Sequence, residues 1–219
     1  MIDRVKIQRA DDDQASALAR SDPAQQVLDA LAVWRAESAG VFVVAIDGRG
    51  GAGKTTLARR VATAGWATLV RTDDFFQRTS PPTEPAPGSV ALWRYYDWQR
   101  LREEALEPLR AGQTASFRRF DFARDGLAET VEVRSSTLII LEGVFSAAAE
   151  LSDLIDRSVL VDIPDEERLR RLRARVAPDR WDTEWLAAEE SYFSTRQSSF
   201  DLVVSGIADN ATAQSKGEP

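Results

Sequence analysis

Apolar residues in this chain fall into short runs separated by charged or glycine-rich stretches, and their spacing alternates between two periods. The run at 41–46 is continuous and short, as a strand buried on both faces requires, and 137–141 repeats the pattern. Residues 67–70, 157–163 and 202–204 read as further short strands, with strand-like pieces at 114–118 and 130–133. Between them the spacing turns helical. Val27, Leu28, Leu31 and Trp34 follow the start signal Ser21-Asp22-Pro23. Further helices are expected at 55–64, at 98–110 with Asp97 as N-cap, from Pro164 onward, and at 183–198. Strands alternating with helices predict an α/β fold, a mostly parallel sheet of about five strands between helical layers. In such sheets ligands bind at the C-terminal ends of the strands.

This pattern predicts three segments. Residues 1–40 form a charged leader and a helix packed on the core, 41–208 form the main domain, and 209–219 form a polar, flexible tail. The proline-rich stretch at 78–90 is expected to be an extended loop.

The strand at 41–46 runs directly into Gly48, Gly53, Lys54 and Thr55, spaced as G-x-x-x-x-G-K-[ST] and followed by a helix. That is the P-loop pattern in its strand–loop–helix context. Glycines at 48, 50, 51 and 53 let backbone N–H groups curl around phosphate oxygens. The segment from Gly48 through Gly50, Gly51, Ala52 and Gly53 to Lys54, Thr55 and Thr56 is therefore the candidate nucleotide cradle. Lys54 supplies a point charge to the β- and γ-phosphates, and Thr55 offers a hydroxyl to Mg²⁺. Two other strand ends carry carboxylates: Asp73, followed by Asp74, and Glu142. Three strand ends thus converge on one chemistry, phosphoryl transfer from ATP with Mg²⁺.

Composition narrows the reading. With 219 residues the chain fits one α/β domain, and no apolar run approaches the ~20 residues of a membrane span. Without cysteine there is no disulfide or thiolate site, and a cytoplasmic protein is expected. The net charge of −7 argues against nucleic acid as a partner. No membrane partner is expected, and a homo-oligomer stays open. Histidine is absent, so a general base must be a carboxylate, or failing that a lysine or tyrosine. Of 28 basic residues only Lys6, Lys54 and Lys216 are lysines, so the lysine at 54 stands out against an arginine background.

The order of motifs resembles the uridine kinase family of P-loop kinases, with phosphoribulokinase and pantothenate kinase as relatives. IDGRGGAGKTT, TDDFF, YYDWQRL, FRRFDF, LIILEGVFS and DEERLRRLRAR match in order and spacing over about 41–205. The resemblance implies a P-loop three-layer sandwich with an Arg-rich lid at about 165–185. It implies that Asp73 is the catalytic aspartate and that Glu142 lies near Mg²⁺ and the acceptor. It puts Asp97, beside Tyr96, at the acceptor's ribose and Phe120 at the place of a family tyrosine. It puts Arg171 and Arg175 on the phosphates, with Arg180 further along. Pyrimidine-specific members carry a histidine where this chain has Ala123-Arg124-Asp125, which implies an acceptor other than a pyrimidine nucleoside held in that way. The acceptor is then a nucleoside-like molecule or a pantothenate- or sugar-like alcohol. A regulatory GTPase is the rival class, but the guanine-reading N-K-x-D pattern is absent.

Overall fold

The computed structural model describes residues 22–36, 38–77, 96–175 and 183–206. The leader at 1–20, the proline-rich loop at 78–90, Trp93, Tyr95, Arg180, Trp181 and the tail at 209–219 lie outside the described residues, as does the side chain of Arg175.

Five strands, β1 (Phe42–Asp47), β2 (Thr68–Arg71), β5 (Leu138–Glu142), β6 (Arg157–Asp162) and β7 (Leu202–Ser205), form a parallel sheet in the order β2-β5-β1-β6-β7. The other two, β3 (Ala115–Asp121) and β4 (Gly126–Val133), form a separate antiparallel hairpin. Both faces of the sheet are covered, which is why β1 and β5 are buried at every position and show no polar alternation.

Side chains nevertheless sort by strand period into two cores. Val43, Val70, Ile139, Leu141 and Leu160 point to one face. There they meet helix α3 (98–110) through Leu101, Ala105, Leu106 and Leu109, and helix α5 (Thr183–Arg196) through Tyr192 and Phe193. Val44, Ile46, Leu138, Ile140, Val159 and Val161 point to the other face. That face is covered by α1 (Pro23–Ala36) through Val27 and Leu31 and by α2 (Lys54–Gly65) through Leu57 and Val61. Helix α4 (Asp165–Arg175) leaves the end of β6. No helix among the described residues is long and apolar enough to cross a membrane.

Helix α3 consists of Trp98–Arg100, a π-helical stretch Leu101–Leu106 and Glu107–Arg110. Asp97 caps it, its side chain accepting from the Arg100 N–H at 3.0 Å. Pro108 has no N–H to donate to the preceding turn, and the wider π turns lie directly before it. The hairpin is longer than the short pieces expected at 114–118 and 130–133. Its outer positions are exposed and charged, so burial contrast is weak there. Asp121 turns the chain by accepting from the Ala123 and Arg124 N–H groups at 2.8 and 3.3 Å.

Asp156 ties the helical layer to the central strand. It accepts from the Val43 N–H at 2.7 Å and from both terminal nitrogens of Arg110 at 2.9 Å. Asp156→Ala leaves a β1 N–H without its acceptor and strips Arg110 of its ion pair, leaving it only the Leu154 carbonyl, and should cost about 2 kcal/mol in urea unfolding. A loss below about 0.5 kcal/mol, the range of a plain surface substitution, would show that this tie is not formed.

Candidate active site

The site is assembled at the C-terminal ends of β1, β2 and β5. Beyond β1 the chain turns at Gly48, with φ +147°, where a Cβ would strike the Val161 carbonyl. It enters α2 through Gly53, with φ +99°. Gly51 also has positive φ, whereas Gly50 does not. The Gly50 N–H instead donates to Glu189 at 2.7 Å. Lys54 is buried, and its ammonium donates to the Arg49 carbonyl at 3.0 Å inside the loop.

Strand alternation decides which way each carboxylate faces. Ile46 and its register partner Glu142 point toward α2, and Asp47, one residue on, points toward α5. Glu142 therefore meets Thr55, whose hydroxyl donates to Oε1 at 3.0 Å. Its Oε2 is buried and makes no hydrogen bond, although the Arg71 Nε lies 3.5 Å away. Burial raises the Glu142 carboxyl above its usual range, against the pull of Lys54.

Asp73 sits in a 3₁₀ turn, Thr72–Phe75, that follows β2. The chain thus bends between Asp73 and Asp74, and the two carboxylates face different partners. Asp73 accepts from Arg71 at 2.9 Å and from the buried Tyr96 hydroxyl at 3.2 Å. Burial, with Asp73 adjoining, keeps the Tyr96 phenol well above its ordinary value, so it remains a donor. Asp74 pairs with Arg119 of the hairpin at 3.3 Å, and burial raises its carboxyl. The turn is fitted closely to the strand beside it, since a Cβ on Gly143, with φ +152°, would overlap the Thr72 side chain.

The remaining expected residues separate. Phe120 joins Phe76 and Phe122 in an aromatic trio with ring centroids 5.0–5.1 Å apart, beside the Asp73 turn. Asp97 spends one carboxylate oxygen on its helix cap. Arg168 is buried between Asp165 at 2.9 Å and Glu189 at 3.4 Å. Arg171 pairs with Glu167 at 2.7 Å, and hydrogen bonds from Arg170 and Arg171 hold the Glu167 carboxyl down at about 2.

Four residues of the site escaped sequence reasoning: Asp47, Arg71, Glu189 and Tyr192. Asp47 is wholly buried and accepts from Gly48 and Phe145 N–H groups at 2.7 and 2.9 Å on one oxygen. On the other it accepts from the Ala147 N–H and the Tyr192 hydroxyl at 3.0 and 2.8 Å. Burial raises its carboxyl, and these donors oppose the rise. Its one sequence signal is an acid directly after an apolar strand.

Among the described residues no group of three or more carboxylates could hold a metal ion by itself. The Thr55 hydroxyl and the unsatisfied Glu142 oxygen suit a Mg²⁺ ion that takes its other ligands from phosphate and water.

The chain is 31% identical over 142 residues to a uridine kinase of Halobacterium salinarum, a match covering 62% of this chain and 63% of that protein. A solved structure assigned as a possible uridine kinase from Bacillus stearothermophilus superposes with a TM-score of 0.63 at 20% identity, over 83% of this chain and 97% of that one. A protein assigned as a fructose transport system kinase from Silicibacter sp. TM1040 gives 0.61 at 20% identity, over 84% and 99%. No family model matches the chain. The chain is thus similar in sequence to a uridine kinase over 63% of that protein's length, and it shares its fold with these two solved structures.

Asp47→Asn puts an amide where two donors now point, so it should destabilise the protein by about 2–3 kcal/mol in urea unfolding. Unchanged stability would show that the four-donor arrangement does not form.

Proposed function

We propose that the chain is an ATP- and Mg²⁺-dependent phosphotransferase that moves the γ-phosphoryl group to a hydroxyl of a small molecule, with a nucleoside-like acceptor favoured. One observation carries the reading. Lys54, Thr55, Glu142 and Asp73, from three separate strand ends, meet in one linked cluster.

The P-loop amides from Gly48 to Thr56 would cradle the phosphates, and Lys54 would exchange the Arg49 carbonyl for phosphate oxygen. Mg²⁺, held by Thr55 and Glu142, would supply charge neutralisation across the β- and γ-phosphates. Asp73 would take the acceptor's hydroxyl proton, oriented by Tyr96 and Arg71. Arg171, Arg175 and Arg180 would close on the phosphates, with phosphate competing against Glu167 for Arg171. Tyr96, Asp97 and Phe120 would line the acceptor side, where the aromatic trio offers a flat apolar wall.

A screen of alcohols for acceptor-dependent ADP release tests the assignment. Lys54→Ala should abolish turnover with the fold intact, and undiminished turnover would remove the P-loop reading. Asp73→Asn should lower kcat by roughly 10²–10⁴, the usual range for a general base, with little change in ATP affinity. Asp74→Asn should be milder, because Asp74 is spent on Arg119. The reverse ranking would shift the base to Asp74.

A second reading, an alcohol that is not a nucleoside, is favoured by Phe120 and by Ala123-Arg124-Asp125 standing where pyrimidine-specific relatives hold a hydroxyl and a histidine. In the same screen, uridine and cytidine should not be selected over other alcohols. Efficient, selective phosphorylation of either would contradict this second reading.

A further inference from the structure

We propose that Arg71 is the positioning residue of this site, one guanidinium holding both the Asp73 and the Glu142 carboxylates in their working orientations. The inference rests on the phosphotransferase reading above for what those orientations are for.

Register puts the pieces together. Arg71 on β2 and Glu142 on β5 are direct partners in the parallel ladder, so their side chains stand side by side on the face toward α2. The 3₁₀ turn then brings Asp73 back beside the same guanidinium. Arg71 Nη2 donates to Asp73 Oδ2 at 2.9 Å, and its Nε lies 3.5 Å from Glu142 Oε2. The remaining oxygens go to hydroxyls, Asp73 Oδ1 to Tyr96 and Glu142 Oε1 to Thr55. Hydrogen bonds thus hold three of the four carboxylate oxygens, and the fourth, Glu142 Oε2, faces the Arg71 guanidinium as an ion pair only.

The arrangement answers a problem of charge. Two carboxylates beside one phosphate site repel each other and would swing apart or toward Lys54. Arg71 stands between them, and its planar fork can face both at once, which an ammonium cannot. The Arg71 side chain is 36% exposed and that of Asp73 is 40%, so this ion pair adds little to global stability. Removing it should disturb orientation rather than folding.

Three variants and one crystal structure test this. Arg71→Ala should lower kcat by roughly 10²-fold, the scale of a misplaced reacting group, while the KM for ATP and the melting temperature stay near wild type. Arg71→Lys, with charge but no fork, should recover only part of the loss. In the double variant with Asp73→Asn the further loss should be well below the Arg71→Ala factor, because the part that acts through the Asp73 carboxylate is already gone and only the Glu142 part remains. A kcat within twofold of wild type, or losses that simply multiply in the double variant, would overturn the proposal. If the wild type shows no acceptor-dependent turnover, the phosphotransferase reading fails. The crystal structure of Arg71→Ala still decides the positioning role. Asp73 should have left the Tyr96 hydroxyl, and carboxylates unmoved from their wild-type places would contradict it.

Discussion

A single buried carboxylate holds the parts of this site in register. Asp47 ends the central strand and has no contact with solvent, so every lone pair it directs inward must find a donor. It finds them in the first residue of the P-loop, in two amides of the loop after β5, and in a hydroxyl on α5. Fixing the P-loop against the β5 loop fixes Lys54 and Thr55 against Glu142. Glu189 repeats the device from α5, accepting from Gly50 and from the Trp185 indole while facing Arg168 of α4. The phosphate loop is thus gripped from the face opposite its own helix, and α4 and α5 are connected to it by buried charge.

The second organising feature is the use of arginine where histidine is absent. The three carboxylates that follow or end β2 and β5 each have a guanidinium beside them: Asp73 and Glu142 share Arg71, and Asp74 has Arg119. The pairing with Arg119 also anchors the hairpin, which forms a two-stranded sheet of its own among the described residues, to the turn that carries the candidate base. Acceptor wall and base are consequently set by one local network, and a change in the hairpin would be felt at Asp73 through Asp74.

What was legible in the sequence is what depends on neighbours along the chain. The P-loop spacing, the apolar runs of β1 and β5, the Asp97 cap and the strand-end positions of Asp73 and Glu142 are all local patterns, and the structure has each of those elements. Asp47 was not legible because three of its four donors lie 98, 100 and 145 residues away. Glu189 is 139 residues from the amide it accepts, and within α5 it reads as one more polar helix position. The arginine row on α4 is the reverse case. Its spacing suggests one phosphate-facing surface, but Arg168 is turned inward by a carboxylate 21 residues away and Arg171 is held by Glu167. Helical spacing gives a shared face and says nothing of which charge will meet it.

The central claim is that this cluster directs the γ-phosphoryl group to an alcohol and away from water. Phosphorus NMR of the wild-type protein with Mg·ATP and a mixture of alcohols reads that partition in one spectrum. The account predicts a new phosphomonoester resonance growing in step with ADP. Inorganic phosphate growing in its place, at a rate indifferent to the alcohols, would contradict it.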